Sequence, residues 1–168
     1  MLKPEIQDAI NKQINCEIEG AYAYLAMAAH FEGKNLNGFA SWMHQQYTEE
    51  MAHAMRLFNY LLDRGGEILL EAIPKPKNSF DSIRDVFEHA LKQEQNNTNS
   101  INALYALASK LNDYATLSHL QWFLDEQVEE EKLFGEVLGQ LDIAGDDRSA
   151  LLVLNQQLGT RVADPTPM

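Results

Sequence analysis

Glu50 and His53 stand three residues apart inside a helical pattern whose apolar side runs Phe39, Trp42, Met43, Tyr47, Ala54, Leu57, Phe58 and Leu61. At 3.6 residues per turn both polar residues fall within that stripe, so both are expected to be buried. Residues three apart on a helix lie one above the other, and an acid and an imidazole so placed can reach a single point. Burying them without partners is costly, and a divalent cation is one partner able to offset that cost. A histidine satisfied by its own glutamate is the simpler reading of one isolated Glu-x-x-His, a pattern common by chance. The anomaly recurs, however. Glu17 interrupts the apolar series Ile6, Ile10, Ile14, Ala21, Tyr24, Met27, Phe31, and Glu94 interrupts Ile83, Phe87, Leu91, Ile101, Leu104. Gln127 and Glu130 interrupt Leu117, Leu120, Leu124, Phe134, Val137. The spacing is duplicated as well: 17 to 50 and 94 to 127 are both 33 residues, and 50 to 53 and 127 to 130 are both 3.

Gathered at one buried locus, the carboxylates of Glu17, Glu50, Glu94 and Glu130 carry a formal charge that two divalent ions would cancel. Hard oxygen ligands with a single imidazole suit iron or manganese better than copper, and coordination positions left open would admit oxygen. Such a site needs four helices that meet with their polar breaks at one level.

The sequence supplies those helices. The first is expected to open at Pro4 and run to about Glu32, stopped by Gly33 and Asn35, and the second to run from about Asn37 to Arg64, stopped by Gly65-Gly66. A break of a few residues between them makes neighbouring helices antiparallel. The stretch from Gly65 to Phe80, with Pro74 and Pro76, is irregular. At about 3.3 Å per extended residue it can travel the length of a bundle whose helices rise about 1.5 Å per residue. A third helix is expected from Asp81 or Ser82, with Ser82 and Asp85 as a capping pair, to about Leu111. A turn at Asn112-Asp113 leads to a fourth helix ending near Asp142. Each of Glu17, Glu50, Glu94 and Gln127 then lies about 13 residues, or about 20 Å, into its own helix, so all four meet at mid-depth. A short fifth helix, from about Asp147 to Leu158, must dock on something to be stable.

Composition bounds the function. The 168 residues, 45% hydrophobic and 23% charged, fit one domain. The formal net charge of −12 disfavours nucleic acid and favours a surface that gathers cations. No stretch approaches the roughly 18 apolar residues of a membrane span and no signal-peptide pattern opens the chain, so no membrane partner and a cytoplasmic location are expected. Cys16 is the only cysteine and reads as a packing residue. His30, His44, His89 and His119 lack an acidic partner at ligand spacing and read as surface or interface residues, while Met27, Met43 and Met55 read as core fillers.

With Glu17, Tyr24, the run Glu49-Glu50-Met51-Ala52-His53, Glu94 and the run from Gln121 to Lys132 in view, the chain resembles bacterial non-heme ferritins over nearly its whole length. The resemblance implies an all-α, ferritin-like four-helix bundle with a long crossover between helices two and three and a short fifth C-terminal helix. It would occupy residues 1–162, and 163–168 would form a disordered tail. It further implies a homo-oligomeric shell of twenty-four subunits that oxidises Fe(II) with dioxygen or peroxide and stores ferric mineral. By carry-over, Glu17, Glu50 and His53 hold a first iron, while Glu94 and Glu130 hold a second with Glu50 bridging. Gln127 sits close to the site without being a charged ligand. Tyr24, two turns from Glu17 on the same face, could hydrogen-bond a ligand or donate an electron, or could be a core tyrosine with a satisfied hydroxyl.

Glu49 is rotated about 100° from Glu50, while Glu126, Glu129 and Glu130 share a face of helix four. The bland reading of that run is a solvated acidic face. The resemblance to bacterial ferritins with a third iron site makes Glu49, Glu126 and Glu129, with Glu130, an expected third, oxygen-only iron site. Heme-binding bacterioferritins also carry a methionine where Met51 stands, but this chain lacks their second Glu-x-x-His, and no heme is expected. The alternatives are a bacterioferritin-like store, a structural shell subunit without ferroxidase activity, and a di-iron oxygenase or peroxidase on the same bundle.

Overall fold

The computed structural model describes residues 2–161, which form five helices: α1 (Pro4–Glu32), α2 (Asn37–Asp63), α3 (Ile83–Lys110), α4 (Tyr114–Ala144) and α5 (Arg148–Leu158). Local chemistry sets their boundaries. Pro4 opens α1, where its missing N–H is an orphan in any case. The Ser82 hydroxyl accepts from the Asp85 N–H, Asp113 accepts from the Thr116 N–H, and Asp147 accepts from the N–H groups of Ser149 and Ala150, capping α3, α4 and α5. Asn35 and Asn112 adopt left-handed φ values of 59° and 55° in the turns after α1 and α3, a conformation asparagine tolerates better than most residues. The expected tail from Ala163 onward lies outside the described residues. No described helix is long and apolar enough to cross a membrane.

Buried apolar side chains fall into two groups. One joins Ile6, Ile10 and Ile14 to Leu57, Leu61, Ile101, Leu104, Leu120 and Phe123. The other joins Tyr24, Met27 and Phe31 to Phe39, Trp42, Met43, Phe87 and Phe134. The start of α1 thus meets the ends of α2 and α3 and the start of α4, so α1 and α4 run one way and α2 and α3 the other. Two consecutive parallel helices require a connection as long as the bundle, which is why the chain between Asp63 and Ile83 is extended rather than a tight turn. Between the two apolar groups lies a layer of buried polar side chains, among them Glu17, Gln46, Glu50, His53, Glu94, Gln127 and Glu130. Met55, expected in the core, is 45% exposed. Two positions past His53 lies about 200° round the helix, on the opposite side.

The crossover is held by side chains of α1 spaced one turn apart. Gln7 Oε1 accepts from the Glu67 N–H, Asn11 bridges the Glu67 carbonyl and the Leu69 N–H, and Asn15 bridges the Leu69 carbonyl and the Glu71 N–H, all at 2.8–3.0 Å. These amides satisfy backbone groups that an extended segment otherwise leaves unpaired. The segment beyond, Pro74 to Lys77, passes over the flank between α1 and α3.

The fifth helix docks against the start of α2. A Cβ on Gly38 would lie 1.6 Å from the Asn155 carbonyl oxygen, and the Asn155 side chain accepts from the Phe39 N–H at 3.0 Å. The two backbones touch because position 38 has no side chain. Gly38→Ala is therefore expected to push α5 off the bundle, at a cost of about 1–3 kcal/mol. Hydrogen exchange would show it as lost protection confined to α5 and its contacts, and unchanged protection there would contradict the packing argument.

Candidate metal centre

Glu17 of α1 and Glu50 and His53 of α2 each offer one ligand atom such that all three lie within 4.8 Å of one another, and all three residues are buried. No other group of three potential ligands meets that condition among the described residues. Glu50 lies against α1 at Gly20, where a Cβ would sit in ordinary contact 3.4 Å from Glu50 Oε2 and tightly, at 3.2 Å, against Gln93 Nε2. The His53 ring is held edge-to-face by Trp122 at 5.2 Å and Phe123 at 6.0 Å between centroids. Arg56 stacks over the Trp122 ring, 4.2 Å from its centroid. Aromatic packing thus fixes the direction in which the imidazole points.

Glu50 Oε1 and His53 Nδ1 face each other at 3.7 Å, and neither has a hydrogen-bond partner. They are not an ion pair. Burial, followed by the charges of Glu94 and Glu17, raises the Glu50 carboxyl far above its usual range, while burial lowers the His53 imidazole. A buried acceptor and a buried imidazole nitrogen left unpaired and facing each other are what a cation between them would require. The neutral imidazole is also the form that ligates metal.

The remaining predicted carboxylates lie in the same buried layer with partners of their own. Glu94 accepts from the Tyr24 hydroxyl and, at 3.3 Å, from Gln127 Nε2, which also reaches the Glu94 carbonyl at 3.2 Å. Glu130 Oε2 accepts from Gln46 Nε2 at 2.8 Å. Glu17 accepts from Gln13 Nε2 at 2.7 Å and from Asn97 Nδ2 at 3.0 Å. Burial pushes Glu94 up to about 7, opposed by its bond from Tyr24, and burial with the charges of Glu94 and Glu49 pushes Glu130 up to about 8. Burial and then the neighbouring carboxylates push the Tyr24 phenol upward, so it remains a hydrogen-bond donor to Glu94. Tyr24 also stacks on Phe134 at 6.0 Å.

The residues expected to form a third site are arranged differently. Glu49 is buried despite lying about 100° round the helix from Glu50, because Arg161 covers it with two hydrogen bonds of 3.2 Å to its carboxylate. Glu126 is half-buried and Glu129 exposed, and the three do not converge within the distance that joins Glu17, Glu50 and His53. Met51 is half-buried.

Four polar residues that position the ligands were not read from the sequence. Gln13 and Gln46 precede Glu17 and Glu50 by four, and Asn97 follows Glu94 by three, so each lies one turn from a ligand on the inward stripe. That spacing was a usable signal. Arg161 offered none, since nothing local ties it to α2.

A cavity of about 340 Å³ lies between α1 and α3 beneath Pro74–Lys77 and reaches Glu50 and Glu94. It gives water-sized solutes access to the buried layer from the flank of the bundle.

Four helices that project carboxylates and one imidazole toward a common buried level define a metal-binding bundle of the ferritin-like carboxylate class. Comparison with known proteins agrees. The family described as the ferritin-like domain matches residues 7–144. A bacterial non-heme ferritin of Staphylococcus saprophyticus is 44% identical over 98% of both chains, and one of Staphylococcus aureus is 42% identical over 98% of this chain and 99% of its own. Among solved structures, an open pore ferritin of Archaeoglobus fulgidus superposes with a TM-score of 0.95 at 40% identity, covering 96% of this chain and all of its own. A humanized archaeal ferritin gives 0.97 at 40% identity, over 98% and 100%. The chain belongs to the ferritin-like family.

Proposed function

We propose that this protein is a non-heme iron store with ferroxidase activity, assembled as a homo-oligomeric shell of twenty-four subunits in the cytoplasm. The observation that carries the chemistry is the pair of unpartnered buried atoms, Glu50 Oε1 and His53 Nδ1, facing each other beside Glu17 in a layer of carboxylates. Iron is the substrate. Glu17, Glu50 and His53 take a first Fe(II), Glu94 and Glu130 take a second, and Glu50 bridges the two. Gln127 orients Glu94, and Gln13 and Asn97 orient Glu17. Two Fe(II) supply two electrons, which take dioxygen to the level of peroxide or peroxide to water. The cavity beneath Pro74–Lys77 is wide enough for either oxidant to approach Glu50 and Glu94. Tyr24 keeps its phenolic proton, with which it hydrogen-bonds Glu94, and stands ready to lend an electron. Glu49, Glu126 and Glu129, with Glu130, are the carboxylates a third iron would use, and Arg161 holds Glu49 there.

Aerobic addition of Fe(II) to the metal-free protein, with oxygen uptake and ferric absorbance followed together and particle mass measured by light scattering, tests the reading. The expected result is rapid oxygen consumption without an organic substrate by a particle far larger than a dimer. A monomer or dimer that consumed oxygen only with an organic substrate would favour an oxygenase. A shell that bound iron without accelerating its oxidation would leave only the structural role.

A further inference from the structure

Arg161 follows α5 and folds back onto the N-terminal half of α2. Its Nη2 donates to both carboxylate oxygens of Glu49 at 3.2 Å, its Nη1 donates to Gln46 Oε1, and its guanidinium carbon lies 5.1 Å from the Trp42 ring centroid. Its own carbonyl accepts from Gln45. The side chain is 20% exposed and that of Glu49 9%. A guanidinium is charged at every relevant pH and presents its donors as a planar fork. Glu49 is therefore neutralised by a cation built into the chain.

The same contact reaches the centre. An amide that gives its oxygen to Arg161 must turn its NH2 the other way, and Gln46 Nε2 donates to Glu130 Oε2 at 2.8 Å. Arg161 thereby fixes which face of Gln46 meets Glu130. Glu49 and Arg161 act on Glu130 in opposite senses, the carboxylate raising and the guanidinium lowering its proton affinity, so all three belong to one charge cluster.

We propose that Arg161 is an internal counter-cation that occupies the Glu49 side of Glu130 in place of a third metal ion, so that an additional cation binds there only when Arg161 releases Glu49. A divalent ion at Glu49 would have to displace the guanidinium or sit within a few ångströms of a like charge. The inference rests on the ferroxidase reading for the identity of the metal, and it concerns the difference that Arg161 makes to the number bound.

The test is an anaerobic Fe(II) titration of the full-length, metal-free protein, read by calorimetry as ions bound per chain. Arg161→Gln is expected to bind one ion per chain more than wild type. The gain should vanish in the Glu49→Gln/Arg161→Gln double variant, and Arg161→Lys, which keeps the charge, should show the wild-type count. Gly38→Ala, which frees α5 without touching any of these side chains, should reproduce the gain and serves if Arg161→Gln does not fold. Equal counts in wild type and both releasing variants, or a gain that survives loss of Glu49, would overturn the proposal. Failure of the ferroxidase reading shows elsewhere, as wild-type Fe(II) binding that Glu50→Ala does not change.

Discussion

Replacing Glu50 with alanine is expected to slow Fe(II) oxidation by roughly 100-fold or more while the helices and the assembly persist, since even residues that only orient a ligand alter metal affinity or activity 10- to 100-fold. Glu50 is the bridge in the proposed centre, so its loss would remove the bridge and one of the two unpartnered atoms of the first position together. His53→Ala should act in the same direction. It opens space beside Trp122 and Phe123, so its stability has to be measured separately. The metal-free Glu50→Ala protein should be no less stable than wild type, and is expected to melt higher, because a buried carboxylate repelled by Glu94 and Glu17 has been removed. Stopped-flow absorbance after mixing two Fe(II) per chain, with a thermal melt of the same preparations, reads both effects. Wild-type rates in both variants would reject the assigned centre.

The second large effect is a reversal in how stability depends on pH. Without metal, Glu130 and Glu94 are pushed up to about 8 and about 7, and Glu50 is raised well above its usual range, whereas in the unfolded chain all three are ordinary carboxyls. Above the ordinary carboxylate range and up to those raised values the folded state holds protons that the unfolded state has released. Stability conferred by these groups is full in acid and is lost as pH rises through 7 and 8. His53 and His119 act oppositely. Burial lowers both, His119 to about 4, so their contribution is lost as pH falls below the ordinary imidazole value. Between pH 6.5 and 8.5 the carboxylates are left to dominate, and the melting temperature of the metal-free protein is expected to fall across that window. Saturating Zn2+, bound by deprotonated ligands, should make it rise instead, because protons then compete with metal in the folded state. Melts at several pH values with and without Zn2+ would measure this. A rising melting temperature without metal would mean that the carboxylates are not buried as a repelling group.

Much of this molecule could be read from its amino acids. Periodicity alone located five helices, because an apolar stripe is a local property of a helix that must bury one face. Pro4, Ser82, Asp113 and Asp147 marked their beginnings for equally local reasons. Glu17, Glu50, His53, Glu94 and Glu130 stood out as polar breaks in those stripes, and all five are buried. Their equal depth of about 13 residues into their own helices placed the breaks at one level.

Tertiary structure decided what sequence spacing cannot express. The helical wheel turned Glu49 away from the bundle axis, yet Arg161, 112 residues further on, buries it. A wheel describes one helix and carries no information on what another segment lays over its outer face. Met55, placed in the core by its chemistry alone, proved exposed because its angular position outweighs its hydrophobicity. Gln7, Asn11 and Asn15 gave no sign that they would carry the crossover, since their partners are backbone groups of a segment with no pattern of its own. Which helix lies beside which, and hence which carboxylates share a cation, follows from two apolar groups packing at opposite ends of the bundle. That choice involves all four long helices at once, and no window of sequence contains it.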